Sequence, residues 1–237
     1  MAMIAYDEVD AAAFAAGRHL DDDGLAGWRA AVERFVRPGA RILDLGAGTG
    51  SWALSFRSWW PETEVVAVEP SAAMRERSVF EPVVAGDAGS IPLPDGTVDV
   101  VWLSTVIHHI PDLPAAAREI RRVLKPGGVV LVRGVLRGRH QGISQFRFFP
   151  EAVAVLDRYP SAEEIVSAGF TMVALESVPQ TTAPSAQAAL DALTRAAHTP
   201  LQLISDEAYE AGVNRLRSAA AEDPTPIIDH IDLLVLR

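Results

Sequence analysis

The stretch Ile42-Leu43-Asp44-Leu45-Gly46-Ala47-Gly48-Thr49-Gly50 places three glycines at alternate positions directly after a short apolar run. Glycine reaches left-handed backbone conformations and lets a ligand come close to the amides, and a helix N-terminus just beyond favours an anionic group. Strand-to-helix packing asks for similar bends, so the glycines need context before they count as a ligand site. Glu69 supplies it. This acid follows about 20 residues later at the end of a second apolar run, where a carboxylate can accept hydrogen bonds from both hydroxyls of a ribose. Dinucleotide-binding folds share that logic, but their G-x-G-x-x-G fingerprint wants a glycine where this chain has Ser51. The pair His108-His109 carries a second kind of chemistry. A neutral imidazole near pH 7 takes a proton from a hydroxyl or an amine. Metal binding by the pair is disfavoured, because neighbouring residues point apart and no clear third ligand follows.

Alternating elements hold these groups. Short apolar runs over 41–45, 65–68, 83–85, 98–103 and 129–135 read as strands, and the stretches 52–59, 71–77 and 113–124 read as helices, with Ser71 placed to cap the second. The turn Lys125-Pro126-Gly127-Gly128 precedes the fifth strand. Strand-helix alternation of this kind predicts a parallel sheet with helices on both faces. The tail departs from it: 170–178 and 227–236 read as strands that pair antiparallel, separated by helices over about 185–197 and 205–221, a connection longer than ordinary. The first forty residues are Ala-rich and helical in pattern, with Phe14, Leu20, Leu25, Trp28, Val32 and Phe35 as apolar positions. The expected fold is therefore α/β, a Rossmann-like seven-stranded mixed sheet with an N-terminal helical cap and a helical insertion before the last strand. The expected organisation is one domain over 1–237: cap 1–38, ligand-binding core 39–136, and substrate-side helices with the last two strands over 137–237.

Composition narrows the chemistry. Hydrophobic residues make up 49% and charged residues 22% of the 237, enough to bury a sizeable core. The net charge is -10 with 21 scattered Lys and Arg, which argues against nucleic acid and anionic lipid as partners. No apolar run approaches the roughly 20 residues that span a bilayer. Asp7, Glu8 and Asp10 break any signal-peptide pattern, so a cytoplasmic location is expected. The absence of cysteine removes disulfides, thiolate zinc sites, iron-sulfur clusters and cysteine nucleophiles.

ILDLGAGTG, VVAVEPSAAM, GDAGSIPLPDGTVDVVWLSTVIHHIPD and RVLKPGGVVLV, in this order from Arg41 to Val135, together resemble the class I S-adenosylmethionine-dependent methyltransferases, in particular the branch called methyltransferase type 11. The resemblance implies that S-adenosylmethionine is the cofactor and S-adenosylhomocysteine the product. It assigns the methionine end to Asp44 and the backbone of Gly46, Ala47, Gly48 and Gly50, and the ribose to Glu69. Ser71 and Met74 would line the adenine pocket, Asp87 would accept from the adenine amine, and the Ala88 amide would face the ring. Leu103 and Ser104 end the fourth strand, where a backbone carbonyl meets the cofactor's amino group in such enzymes. His108 would stand beside the transferable methyl as a general base. Each position also has a local reading: Asp44 ordering the turn, Met74 in the core, Asp87 turning the chain before Gly89, His108 only packing.

The fourth strand ends Leu103-Ser104-Thr105-Val106, without the Asn/Asp-Pro-Pro-aromatic signature of amino methylation on adenine or glutamine, which points to a small-molecule acceptor. Oxygen, nitrogen and carbon all stay open as the accepting atom, and the oligomeric state stays open too. Arg18, His19, His140, Arg147, Tyr159 and the Phe146, Phe148, Phe149 cluster are pocket candidates outside the motifs, and Tyr6 or Arg18 could close the cap over the cofactor. Two other functions fit less of the pattern: a protein that binds the cofactor without transferring methyl, as a cyclase or binding module, and a nicotinamide-dependent oxidoreductase.

Overall fold

The computed structural model describes residues 20–237; Tyr6, Phe14, Arg18 and His19 lie outside the described residues. Seven strands form one sheet in the order β3-β2-β1-β4-β5-β7-β6. Its strands are β1 (Arg41–Leu45), β2 (Glu64–Glu69), β3 (Val83–Ala85), β4 (Val98–Ser104), β5 (Leu124–Gly134), β6 (Met172–Ala183) and β7 (Ile227–Leu236). The first five run parallel, and β7 is antiparallel to both β5 and β6. The expected mixed sheet is present, with its one reversed strand next to the edge.

Strands buried on both faces explain the near-continuous apolar runs. Ile42, Val100, Trp102, Leu131 and Val235 contribute to one core cluster, and their neighbours Leu43, Val101, Leu103, Val130 and Leu234 to the other. Helices close both sides. Trp28 of α1 (Asp22–Glu33) and Phe56 of α2 (Ser51–Trp59) pack in the first cluster. Ile120 of α4 (Leu113–Val123) and Ile165 of α6 (Ala162–Ser167) pack in the second. Between these in sequence lie α3 (Ala72–Glu76) and α5 (Ser144–Phe148). Ser71 caps α3 as its type and position suggest, accepting from the Met74 amide at 3.3 Å.

Three local expectations need correction. The helix expected over 185–197 is broken into α7 (Ala186–Asp191), a 3₁₀ turn (Arg195–Ala197) and α8 (Thr199–Gln202), with Pro200 in the first turn of α8. The break falls after Asp191, within a stretch that contains no proline, so tertiary packing and not residue type ends the first helix there. Strand β6 extends to Ala183 rather than stopping near 178, because β7 pairs with it along its length. Strand β5 begins at Leu124, before the Pro-Gly-Gly turn: Leu124 pairs with Val98, and a register shift between Val98 and Val100 absorbs the turn. The last helix, α9 (Asp206–Glu222), lies close to the expected span.

Candidate functional site

The chain order β3-β2-β1-β4 reverses direction between β1 and β4, and a crevice opens there at the carboxyl ends of the strands, where open α/β sheets take their ligands. The glycine bend fills the crevice edge. Gly46, Gly48 and Gly50 all have positive φ, at 76°, 57° and 77°. A Cβ at Gly46 would lie 2.5 Å from Cγ2 of Val106, and one at Gly50 would lie 2.4 Å from Oγ of Ser78. Glycine is therefore required at both positions by conformation and by space. The amides of Gly46 and Ala47 both donate to the carbonyl of Val68, at 2.8 and 3.0 Å, which pins the bend to the end of β2.

Two acids stand against this bend. Glu69, 6% exposed, accepts from the Gly48 amide at Oε2 and from the Ser71 amide at Oε1, both at 2.9 Å. Burial raises its pKa, while the Ser71 and Gly48 amides and the Arg75 charge pull the other way. A carboxylate oxygen has two lone pairs, so each oxygen keeps capacity for a ribose hydroxyl. Asp44, 1% exposed, is different: its Oδ2 meets no hydrogen-bond partner among the described residues. Burial pushes its carboxyl up to about 7, eased by the Ala53 amide and reinforced by the Glu69 charge. A buried acceptor with nothing to accept from is costly, and an ammonium group on a ligand would satisfy it. The residues present thus fit an amino-acid head group beside the glycine bend.

Other predicted positions take mixed places. Met74 is 2% exposed and packed inside the protein. Asp87 is exposed and its Oδ1 accepts from the Gly89 and Ser90 amides at 2.7 and 3.1 Å, so it does turn the chain, with Ala88 half-buried beside it. Leu103 is buried in the second core cluster, and Ser104 bonds Arg133. His108 sits in a 3₁₀ turn (Ile107–His109) just past β4, 9% exposed, its ring stacked on Tyr159 at 4.0 Å and 7° and lying 4.1 Å from the ring of His109.

A cavity of about 310 Å³ begins at the glycine bend and runs toward the carboxy-terminal helices. Gly46, Ala47, Gly48, Ser104 and His108 line it; Asp44, Gly50, Glu69, Ser71, Met74, Asp87, Ala88 and Leu103 do not. Of the looser pocket candidates, Tyr159, Phe146, Phe148 and Phe149 form part of its wall. His140 and Arg147 stay outside it, packed edge-on to Phe146 and over the Phe148 ring.

Beside the expected Ser104, the cavity also holds a polar row that motif reading missed: Thr105, Arg133, Gln180, Thr182 and Asp229. Thr105 has φ 58°, an uncommon conformation for a β-branched residue, and its backbone N–H donates a hydrogen bond to the Arg133 carbonyl at 2.8 Å that holds it at the cavity edge. Two signals were present in the sequence. Arg133 closes the otherwise apolar run Val129-Val130-Leu131-Val132, and Asp229 interrupts the last strand.

A family model described as a methyltransferase domain matches residues 43–132, the β1-to-β5 part of the chain. A 27-O-demethylrifamycin SV methyltransferase from Amycolatopsis mediterranei is 30% identical over 211 residues, covering 80% of this chain and 75% of that protein. A malonyl-[acyl-carrier protein] O-methyltransferase from Serratia marcescens is 34% identical over 106 residues, but the match covers 44% of this chain and only 42% of that relative's length. Among solved structures, a methyltransferase from an antibiotic biosynthesis pathway of Anabaena variabilis superposes with a TM-score of 0.70 at 21% identity, over 88% of this chain and 95% of that one.

Proposed function

This chain belongs to the class I S-adenosylmethionine-dependent methyltransferases, and on that footing we propose that it methylates an oxygen, nitrogen or carbon nucleophile of a small, largely apolar metabolite. The observation that carries this reading is the cavity that joins the glycine bend to the carboxy-terminal helices, with His108 in its wall. In the proposed division, 39–136 bind the cofactor and 137–237 shape the acceptor side. The rifamycin relative and the Serratia relative are both named for methylation at oxygen, and another relative is named for methylation at carbon, so both atoms fit as the acceptor here. No helix among the described residues is long and apolar enough to cross a membrane.

Bound S-adenosylmethionine supplies a methyl group already activated on sulfonium, with S-adenosylhomocysteine as the leaving product. The protein's task is then alignment and exclusion of water, worth about 7–11 kcal/mol of barrier in well-oriented reactions. Asp44 would receive the ammonium at Oδ2, which has no partner among the described residues, and the Gly46, Ala47, Gly48 and Gly50 backbone would frame the methionine end. Glu69 would hold the ribose with the lone pairs its backbone bonds leave over, while Ser71, Met74, Asp87 and Ala88 would bound the adenine side and Leu103 and Ser104 would offer backbone carbonyls. His108, steadied face to face by Tyr159, takes the proton that the acceptor loses.

Incubation with isotope-labelled cofactor and a panel of hydroxylated metabolites, read by mass spectrometry, tests the reading, with calorimetry on S-adenosylhomocysteine alongside. Label in a product supports it; cofactor binding with no acceptor labelled points instead to a cyclase or binding module. Replacing His108 with alanine should lower turnover about 100- to 10,000-fold and leave S-adenosylhomocysteine affinity nearly unchanged. Normal turnover of His108→Ala at every pH would remove the residue from the chemistry.

A further inference from the structure

Glycine is a poor helix former, yet Gly212 stands buried in the interior of α9. The position needs room. A Cβ there would lie 2.0 Å from Cδ1, 2.2 Å from Cε1 and 2.7 Å from Cγ of Phe149, so the phenylalanine ring rests on the helix backbone itself. Tyr209, three residues earlier on the same helix face, stacks on that ring with centroids 5.7 Å and planes 25° apart. Leu216, four residues later, lines the cavity directly, as Phe149 does, whereas Gly212 lies behind the wall. The backbone that carries Phe149 is fastened as well. Its amide donates to the Gln145 carbonyl at 2.8 Å, and Arg215 of α9 donates to the Phe148 carbonyl and to the Glu151 carboxylate.

At this end the cavity is apolar, walled by Phe146, Phe149, Leu193, Leu201 and Leu216. Such a wall has few hydrogen bonds to offer, so it attracts by the apolar area it covers and discriminates by where it stops. Side chains in a close-packed interior do not compress, and the stop is sharp. Restoring an ordinary contact distance between a methyl at 212 and the ring requires a retreat of about 1.5–2 Å. With its backbone fastened, the Phe149 ring yields toward the cavity, and the apolar end becomes shorter.

Resting on the methyl-transfer reading above, we propose that Phe149 is the stop that sets the length of acceptor the enzyme takes, and that Gly212 is the positioning residue that sets where the stop stands. The acceptor is then a molecule with its nucleophile at one end, near His108, and an extended apolar portion at the other, ending against the Phe149 ring. Gly212 is retained in a helix that would prefer alanine because the acceptor needs the depth that a bare backbone gives.

The test is calorimetry on the full chain saturated with S-adenosylhomocysteine, titrated with neutral 4-n-alkylphenols from methyl to hexyl. In the wild type, affinity should rise about threefold to fourfold per methylene until the chain meets Phe149, and then stop rising. Gly212→Ala should bring that break about one or two methylenes earlier, Phe149→Leu should move it to longer chains, and the double variant should return it toward the wild-type length. A merely structural role for Gly212 would weaken all chain lengths alike and leave the break in place. A break at one length in every folded variant overturns the proposal, as does a wild-type affinity that climbs without a break or a wild type that binds none of the phenols. Should Gly212→Ala fail to fold, Phe149→Leu decides alone, since an unmoved break in that variant overturns the stop. Wild-type protein that binds no S-adenosylhomocysteine overturns the methyl-transfer reading itself, and the acceptor proposal with it.

Discussion

Two halves of the chain meet at one cavity and build it by different means. From β1 to β5 the site is made of backbone: glycines of positive φ, amides pinned to the Val68 carbonyl, and the buried acids Asp44 and Glu69, close to one another in the chain. After Gly134 it is made of side chains from β6, β7 and a set of short helices, contributed by residues as far apart as Phe146, Gln180 and Asp229. On the proposed reading the first half holds the cofactor, an arrangement that short-range sequence pattern suffices to encode. The second half, joined by His108 and Arg133 from the first, walls the acceptor side, and those residues share a wall only because the sheet brings them there. The comparison teaches that ligand chemistry common to a family lives in local geometry, while selectivity lives in long-range packing.

Substitutions in each half test that division. The largest effect is expected from Gly46→Ala, where positive φ and the 2.5 Å approach to Val106 both oppose a methyl group. S-adenosylhomocysteine affinity should fall by about 100-fold or more in calorimetry, since strain of this kind costs on the order of 1–3 kcal/mol before any clash is added. An affinity within about threefold of wild type would show that the bend does not hold the cofactor.

Asp44→Asn comes next. An acid whose folded pKa is raised from 3.8 to about 7 binds more protons folded than unfolded in that interval, so the ligand-free protein loses stability as pH rises from about 4 through 7. A tenfold change in proton affinity corresponds to about 1.4 kcal/mol. Asparagine removes the buried charge, so the ligand-free variant should melt higher than wild type at pH 8 and gain little at pH 4. It should also lose roughly tenfold or more in S-adenosylhomocysteine affinity, because the ammonium loses its ionic partner. A variant with lower melting temperature at pH 8 and intact affinity would contradict both expectations.

The smallest effect belongs to the second half. In Gly212→Ala, a helix-favouring change worth about 1 kcal/mol is set against a methyl 2.0 Å from Cδ1 of the buried Phe149 ring. Overpacking costs about 1–3 kcal/mol and wins. Denaturant unfolding should show a net loss on the order of 1 kcal/mol with S-adenosylhomocysteine affinity unchanged. Weakened cofactor binding there would mean that the two halves are energetically coupled.

Much of this architecture is legible in the residues alone, and the particular failures are informative. Ser71 caps a helix as its type demands, and the two tail strands pair antiparallel as their apolar runs suggest. The helix expected over 185–197 fails because periodicity carries no information about where tertiary packing bends a chain into short pieces. Asp87 fits both a turn residue and an adenine partner by sequence, and the first of these is visible in its bonds to Gly89 and Ser90. Arg133 escapes motif reading because an arginine at the end of a strand looks like a solvated terminus until its surroundings are known.

Alternating apolar runs, three glycines and two acids at short spacing were enough to dictate the parallel sheet, the bend and the kind of ligand that fits it, because each depends on torsional preferences and contacts between near neighbours in the chain. Which side chains share the cavity wall was decided by strand register. Arg133 lies opposite Leu233, Leu233 opposite Glu176, and Gln180 opposite Asp229, and those pairings bring three distant polar residues to one wall. A one-residue slip would turn each to the other face of the sheet, so the fold had to settle before the pocket could exist.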